Sequence, residues 1–337
     1  MNLKRIGLDT SKAVFTVHGV GHDERAALRC SLKRAGLEDF FARLPPTVVA
    51  LEACGGSHHW GRRLRALGHE VRLIPPQYVK PFVKRGKNDR NDAEAISEAA
   101  ARPEMTVVAV KSAEQQAGAM ILSVRELLVG QRTQLVNAIR GHAAEFGVIA
   151  AKGVSNIVRL LEKIATDTEI PQAAREMLAL LGARVSELDT RINQVELQMM
   201  QQHKANPVSR MLDEVPSIGP IVALACALTV DPSQYKSARH FAASLGVTPK
   251  ERSTAGKQRL GGISKQGNER LRRLLVTGAM AVIKYARPGS KTASPWLLKL
   301  LERKPRKLAA VALANKTARI IWAMMSSGEA YRRQPAG

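Results

Sequence analysis

The first hundred residues alternate strand-like and helix-like segments, and this order limits the fold more than any other feature of the chain. Apolar, β-branched runs bounded by turn residues predict strands, and longer amphipathic stretches predict helices. The predicted strands are Leu3–Asp9, Ala13–Val20, Ala26–Leu32, Thr47–Ala53 and Glu70–Ile74. The predicted helices are Ala35–Leu44, Ser57–Leu67 and a stretch that begins near Asp89. The sequence therefore predicts an α/β domain in which three strands precede the first helix.

Four acidic residues stand at the ends of these predicted elements. Asp9 and Glu52 end the first and fourth strands, and Asp89 and Asp92 begin the third helix. Residues three apart share a helix face, so the two helical carboxylates can point toward one site. An acid pair that only stabilises the helix N-terminus is the alternative. The order of elements is that of the ribonuclease H fold, in which carboxylates from the first and fourth strands meet a later helix.

Converging carboxylates in a basic protein favour a magnesium site. The 337 residues include 52 Lys and Arg against 29 Asp and Glu, a formal charge of +23. Mg²⁺ takes oxygen ligands and is shared with substrate phosphates. Surplus positive charge indicates a polyanionic partner, because each neutralised phosphate releases counterions. We therefore expect a nucleic-acid partner and Mg²⁺ as the cofactor, with Mn²⁺ as an alternative ion. A ribosomal or other cationic protein is the alternative on composition alone.

Disulfide chemistry and membrane insertion are not indicated. The three cysteines are few, odd in number and far apart, which fits a reducing cytoplasm. No long apolar stretch follows the N-terminal Met-Asn-Leu-Lys-Arg, so a signal peptide is not predicted. No run in the chain approaches the roughly 20 apolar residues of a membrane span. We expect a cytoplasmic protein with no membrane partner.

Residues 109–205 are predicted to form a separate region in the middle of the chain, and the sequence predicts that this region is helical throughout. A long helix is predicted over Ala113–Phe146 and a second from about Pro171 to His203. In the second, apolar residues recur at alternating steps of three and four, which predicts a coiled coil. The members of this apolar seam are Leu178, Leu181, Val185, Leu188, Ile192, Val195 and Met199. A hairpin with the upstream helix of the same chain is the alternative to a dimer seam, and both can hold.

The last region, predicted as 206–337, is expected to be mostly α-helical. The run Val215-Pro216-Ser217-Ile218-Gly219-Pro220 resembles the turn of a helix-hairpin-helix, whose backbone N–H groups suit a phosphate. A plain interhelical turn is the alternative. A polar interruption of the helices is predicted over 248–267, and its first part, 248–257, is predicted to be a loop. From Arg239 to Arg319 there are 19 Lys and Arg against three acids, a net +16, which favours a phosphate-contacting surface.

A serine in the polar loop is a candidate nucleophile. Ser253 has Arg252, Lys257 and Arg259 close in sequence, and nearby positive charge stabilises a serine alkoxide. Most loop serines have no chemical role, and no histidine lies near enough in sequence to serve as its base. The expected nucleic-acid contacts are basic residues near the acids and in the last region: Lys87, Arg90, Arg252, Lys257, Arg259, Lys265, Arg270, Arg272 and Arg273.

These motifs together resemble the insertion sequence 110 family of transposases, relatives of the Piv site-specific invertase. The resemblance covers nearly the whole chain. Around the acids it rests on Gly-Leu-Asp-Thr-Ser-Lys, Leu-Glu-Ala-Cys-Gly-Gly and Lys-Asn-Asp-Arg-Asn-Asp-Ala. Downstream it rests on Val-Pro-Ser-Ile-Gly-Pro, Leu-Gly-Val-Thr-Pro-Lys and Ile-Ser-Lys-Gln-Gly-Asn-Glu-Arg-Leu-Arg-Arg-Leu-Leu.

The resemblance implies a RuvC-like N-terminal domain over 1–108, a coiled-coil middle and a C-terminal transposase domain with a nucleophilic serine. It assigns the metal-binding and catalytic acids to Asp9, Glu52, Asp89 and Asp92. Counting back from Ile-Ser-Lys places the serine at Ser253, with Thr254 as the adjacent alternative. It also implies a guide RNA, encoded by the element, that pairs with donor and target DNA.

The hypothesis that the sequence favours is that this protein is a recombinase, which cleaves and rejoins DNA through a phosphoserine link. Since the acids and the serine fall in separate predicted domains, we expect a composite site in a homo-oligomer, either a dimer or a tetramer. One rival is a metal-dependent junction nuclease that uses activated water and forms no covalent adduct. The other is a scaffold that binds nucleic acid without cleaving it.

Overall fold

A computed structural model describes residues 3–84, 88–254, 256–290 and 294–332. The chain forms two compact units, and the boundary between them falls between Gln116 and Ala117. Unit 1 is an α/β unit with one mixed β-sheet, and the described part of unit 2 is helical apart from one short β-hairpin. The boundary lies slightly beyond the predicted one at 108. The predicted separation of 109–205 from 206–337 stays a prediction.

Unit 1 has the predicted order of strands and helices. Its strands are β1 (Arg5–Thr10), β2 (Val14–Val20), β3 (Ala26–Lys33), β4 (Val48–Glu52) and β5 (Glu70–Ile74). Its helices are α1 (Leu37–Ala42), α2 (Ser57–Ala66), α3 (Pro76–Val79) and α4 (Asp89–Ala100). The predicted strands are confirmed with small shifts at their ends. The short α3, which begins at the second proline of Pro75-Pro76, was not predicted.

The five strands form one sheet in the order β3-β2-β1-β4-β5. Short turns join β1, β2 and β3, which are antiparallel, whereas β1, β4 and β5 run parallel. The connections to β4 and β5 contain α1 and α2, because parallel strands need a crossover. In the β1–β4 pair, Leu8 lies opposite Leu51. The next residue on each strand, Asp9 and Glu52, therefore lies at the same edge of the sheet.

Each face of the sheet is covered by helices. On one face α1 and α2 pack through residues such as Phe41 and Trp60, and on the other α4 packs through Ala95 and Ile96. The approach of α4 to β1 is close: a Cβ built on Gly7 would lie 2.1 Å from the carbonyl oxygen of Ala93. Glycine at this position is therefore what lets the helix backbone rest directly on the strand.

The remaining elements are mostly helices, which range from 7 to 34 residues. They are α5 (Ala113–Glu145), α6 (Ile157–Thr166), α7 (Gln172–Ala205), α8 (Pro207–Asp213), α9 (Pro220–Thr229), α10 (Ala238–Ser244), β6 (Pro249–Glu251), β7 (Leu260–Ile263), α11 (Glu269–Lys284), α12 (Pro295–Arg303) and α13 (Arg306–Ser327). The two predicted long helices are confirmed as α5 and α7. The predicted interruption over 248–267 contains no α-helix in its described residues, but the prediction of a loop over 248–257 is wrong in part, because β6 lies there and pairs with β7 as an antiparallel hairpin.

The apolar seam of α7 is covered by helices of the same chain. Ion pairs between Arg125 and Glu196 (2.6 Å) and between Arg132 and Asp189 (2.5 Å) show that α5 and α7 lie antiparallel. The seam residues buried within this single chain are Leu178, Val185, Leu188, Ile192 and Met199. The arrangement is the intramolecular hairpin, and a coiled coil between subunits stays a prediction.

The last part of unit 2 packs around α13. By length and composition alone α13 could cross a membrane, the one such helix in the described part of the chain. Its alanine-rich face and Ile321 are buried in a core shared with α9, α10 and α11, so we interpret it as a core helix. The predicted pair of helices with a turn between them is present as α8 and α9, and its function as a phosphate-binding helix-hairpin-helix stays a prediction. Its turn is half-buried, with the Ser217 hydroxyl 3.0 Å from that of Thr317 on α13.

Candidate active site

Two of the predicted acids lie at the carboxyl edge of the sheet in unit 1. Asp9 is the second-last residue of β1, and Glu52 is the last residue of β4. Both side chains are partly exposed. Gly7, two positions before Asp9, contacts α4. Because side chains two apart on a strand share a face, Asp9 lies on the side of the sheet that α4 covers.

The other two acids come from the first turn of α4. The Asn88 side chain caps this helix by accepting a hydrogen bond of 3.0 Å from the backbone N–H of Arg90, which fixes where the helix begins. Asp89 and Asp92 then fall on the face nearest Asp9. One carboxylate oxygen from each of Asp9, Asp89 and Asp92 lies within 4.8 Å of the other two. The folded chain thus brings together acids that are about 80 residues apart in sequence.

The carboxylates of this acidic cluster (Asp9, Asp89 and Asp92) repel one another. Burial, followed by the charges of Asp92, Asp89 and Glu52, raises the pKa of Asp9 from 3.8 to about 6. Burial and the charge of Asp92 also raise the pKa of Glu52. A bound cation favours the ionised form of all four groups and relieves this repulsion. Ligand oxygens around one Mg²⁺ lie about 2.1 Å from the ion and so at most about 4.2 Å apart. The donor set therefore fits a small divalent cation after slight closure.

Glu52 stands slightly apart from the other three acids. It is not part of the group within 4.8 Å, although its pKa responds to Asp92. The four predicted acids therefore lie as a tight group of three with Glu52 near it, and their joint role as a metal site stays a prediction. Among the basic residues expected beside this site, Arg90 is exposed on α4, and Lys87 lies outside the described residues.

Ser253 lies in the hairpin of unit 2, just beyond β6. Its hydroxyl donates a hydrogen bond of 2.7 Å to the carboxylate of Glu251 and accepts one of 3.2 Å from the backbone N–H of Arg259. At Thr254 the backbone pairs with that of Lys257 in both directions. The carboxylate partner of Ser253 was not predicted. The only sequence signal for it is an acid two residues before the serine.

The basic residues predicted to contact nucleic acid fall into two groups. Those that are exposed on or beside the hairpin are Arg252, Lys257, Arg259 and Lys265. Those on α11 are Arg270, Arg272 and Arg273, and each has partners inside the protein.

The partners of the α11 arginines are specific. Arg270 and Arg273 both form ion pairs with Glu126 of α5, Arg270 at 2.8 Å. The Arg272 guanidinium donates to the carbonyl oxygens of Leu245 and Gln266, each at 2.9 Å. These side chains tie α11 to α5 and to the end of α10. A role in holding the fold was missed because Glu126 and Leu245 are distant in sequence from the arginines that they contact.

Comparison with known proteins gives a consistent picture. Residues 6–147 match a family model described as Transposase, of the DEDD type of IS110 elements, and residues 209–294 match one described as Transposase IS116/IS110/IS902 family. The first range contains all four acids, and the second contains Ser253 and Glu251.

Whole-length relatives are transposases as well. The chain is 53% identical to the Putative transposase y4pF/y4sB of Sinorhizobium fredii, over 98% of this chain and 86% of that protein. It is 48% identical to a Probable family 20 transposase of Pseudomonas aeruginosa, over 98% and 99%. It is 38% identical to the Transposase for insertion sequence element IS1111A of Coxiella burnetii, over 98% and 92%.

Proposed function

The chain belongs to the IS116/IS110/IS902 family of transposases, and from this premise we propose that it cleaves and rejoins DNA with a magnesium site in unit 1 and a serine nucleophile in unit 2. Membership makes the chain an insertion-sequence transposase, an enzyme that acts on DNA strands, and implies the use of a divalent metal. The observation that carries the proposal is the clustering of Asp9, Asp89 and Asp92.

We infer that unit 1 is a ribonuclease H-like domain of the RuvC type. The strand order β3-β2-β1-β4-β5 supports this, with three antiparallel strands followed by two that run parallel to β1. The acids at the ends of β1 and β4 and on α4 support this inference, since a metal site at this edge of the sheet is expected of such a fold.

Mg²⁺ is the ion that the donor set suits best. Asp9, Asp89 and Asp92 would hold it, with Glu52 completing the site as a direct ligand or as a ligand of a second ion. When bound, Mg²⁺ neutralises charge on the scissile phosphate and stabilises the attacking and leaving oxygens. The role of the acids is to fix that position, so removing one carboxylate should stop cleavage without removing the basic surface that binds DNA.

Ser253 is the proposed nucleophile. It is exposed, it lies among cations, and its hydroxyl is hydrogen-bonded to a carboxylate, whereas Thr254 uses its backbone to form the end of the hairpin. Attack by its oxygen on the phosphorus would give a phosphoserine link. The link retains the energy of the broken phosphodiester bond, so that the strand can be rejoined without an external energy source.

The proposed partners are donor and target DNA, a guide RNA and further copies of this chain. Arg252, Lys257, Arg259 and Lys265 are exposed and would contact nucleic-acid backbone. Guidance by an element-encoded RNA follows from the family resemblance and is tested by looking beside the gene for a structured non-coding segment complementary to the element's junctions. A composite site, in which the acids and Ser253 come from different subunits of a dimer or tetramer, is part of the same proposal.

The metal half of the proposal is tested by Asp9→Asn. The variant should lose Mg²⁺-dependent cleavage of DNA carrying the element's ends, and its affinity for that DNA should stay close to that of the wild type. Asp39→Asn on α1 is the matched control, since it removes the same charge from an exposed position in the same unit. Full cleavage by Asp9→Asn would contradict the metal site.

The serine half is tested by Ser253→Ala beside Thr254→Ala. Ser253→Ala should fold normally, since an exposed loop residue contributes little to packing, and should lose strand transfer. Thr254→Ala should keep most activity. If both variants stay active, cleavage proceeds through activated water and the serine mechanism is wrong.

A further inference from the structure

We infer that Glu251 is the general base that accepts the proton of Ser253 during attack on the scissile phosphate. This rests on the proposed role of Ser253 as the nucleophile. A serine hydroxyl is a weak nucleophile until a neighbouring group takes its proton, and the base must lie within about 2.6–3.2 Å of the oxygen. The Glu251 carboxylate lies 2.7 Å from the Ser253 hydroxyl.

The hairpin fixes both groups. Glu251 is the last residue of β6 and pairs with Leu260 of β7. One step further, the backbone N–H of Arg252 donates to the carbonyl of Arg259 at 2.9 Å, and the N–H of Arg259 donates to the Ser253 hydroxyl. The carboxylate thus comes from the paired part of the hairpin, and the serine oxygen is held by Arg259, the residue just before β7.

The hydrogen bonds also leave the serine oxygen able to react. A hydroxyl has one proton and two acceptor lone pairs. The proton points to Glu251, and one lone pair accepts from the Arg259 N–H, so the second lone pair remains for phosphorus. The nearest histidine in sequence, His240, bonds through its ring Nδ1 at 2.8 Å to the hydroxyl of Ser237, the N-cap of its own helix. The carboxylate is therefore the base that the geometry provides.

The step balances as a phosphoryl transfer. The Ser253 oxygen forms a bond to phosphorus as the bond from phosphorus to a deoxyribose oxygen breaks, and the hydroxyl proton moves to the Glu251 carboxylate. The departing deoxyribose oxygen takes a proton from solvent. On rejoining, a deoxyribose hydroxyl returns a proton to solvent as it attacks, the serine oxygen leaves, and Glu251 gives its proton back.

The test is the rate of adduct formation by the full-length protein under single-turnover conditions. The probe is a saturating DNA duplex carrying the element's end, with RNA transcribed from the non-coding segment beside the gene. Glu251→Gln should slow the adduct by about 10²–10⁴-fold, the usual contribution of a general base, and leave DNA affinity unchanged. Glu251→Asp, which keeps a carboxylate, should form the adduct at least about tenfold faster than Glu251→Gln. Between about pH 6 and 9 the residual rate of Glu251→Gln should rise more steeply than that of wild type, since hydroxide must replace the base.

Glu302→Gln on α12 is the matched control, an exposed glutamate of the same unit, and should react as wild type. If Glu251→Gln forms adduct at the wild-type rate while Ser253→Ala forms none, the role of Glu251 is wrong and the nucleophile stands. If Ser253→Ala still forms adduct, the proposed function itself fails. A loss of DNA binding in Glu251→Gln that accounts for the slower rate would also overturn the inference, because the residue would then act on binding alone.

Discussion

Gly7→Ala should disable the acidic cluster without touching any of its carboxylates. The added Cβ would lie 2.1 Å from the carbonyl oxygen of Ala93 and 2.7 Å from the backbone nitrogen of Ser97, whereas an ordinary contact begins at 3.4 Å. Helix α4 must therefore retreat from β1 by about 1.3 Å, the difference between 2.1 and 3.4 Å. Asp89 and Asp92 move with the helix, because both lie in its first turn.

The Gly7→Ala substitution should weaken Mg²⁺ binding and cleavage more than it weakens the stability of the fold. Mg–O distances are restricted to about 2.0–2.1 Å, so a retreat on that scale separates the ligands beyond what one ion tolerates. Overpacking of this kind costs about 1–3 kcal/mol of folding free energy. A misplacement of about 1 Å in a catalytic group can cost about 10²-fold in rate. We expect weakened Mg²⁺ binding and about a hundredfold slower cleavage in a protein that still folds at 25 °C.

The assay pairs calorimetric titration with Mg²⁺ and a cleavage time course, after circular dichroism has shown the variant to be folded. Gly36→Ala is the control, since its Cβ would meet nothing within 4 Å and its φ is negative. It should bind the metal and cleave as the wild type does. Wild-type metal affinity and cleavage in Gly7→Ala would refute the argument that contact between α4 and β1 sets the site.

Three further predictions follow from the contacts. Asp9→Asn should melt at a higher temperature than wild type at pH 7 in EDTA. The raised pKa of Asp9 means that its carboxyl stabilises the fold below about pH 4 and that this contribution is lost as the pH rises through about 6. At pH 7 the ionised carboxylate therefore destabilises the fold, and asparagine removes its charge. A lower melting temperature for the variant would contradict this prediction. Leu188→Ala should lose about 2–5 kcal/mol of unfolding free energy at every protein concentration, because its side chain is buried within one chain; a loss that varies with concentration would point to a subunit seam. Alanine at both Arg259 and Lys265 should flatten the salt dependence of DNA binding by about two units, whereas Arg270→Ala, which breaks an ion pair inside the protein, should change it less; an unchanged slope in the double variant would mean that both residues face solvent.

The sequence was sufficient for the elements of unit 1 because local patterns decide them. Apolar runs between turn residues located all five strands, and Pro75-Pro76 marked the end of β5. The approach of Asp89 and Asp92 to Asp9 was also predictable, from helical spacing and the order of elements. The close packing that sets their positions was not, because nothing near Gly7 in sequence shows that Ala93 will lie against it.

Unit 2 shows why other features of the structure could not be predicted from the sequence. The apolar repeat of α7 predicts a partner helix but does not say whether that helix belongs to the same chain, and here α5 and α6 cover it. The ion pairs of Arg270 and Arg273 with Glu126 could not be predicted from sequence, because Glu126 lies more than 140 positions away, and the predicted nucleic-acid contacts of these arginines stay a prediction. The hairpin at Ser253 is short and polar, so it lacks the alternating apolar pattern that would predict β6 and β7.

The central claim is that Ser253 attacks DNA only when the acids of unit 1 hold a metal. Its most direct test is mass spectrometry of the protein after reaction with cleavable DNA in Mg²⁺. Trypsin cuts after Arg252 and Lys257, which isolates a five-residue peptide containing Ser253 and Thr254 as its only hydroxyl residues. The account predicts a deoxynucleotide phosphate on Ser253 in the wild-type protein, and none in EDTA or in Asp9→Asn. Cleaved DNA with this peptide unmodified, or an adduct that forms without the metal, would contradict it.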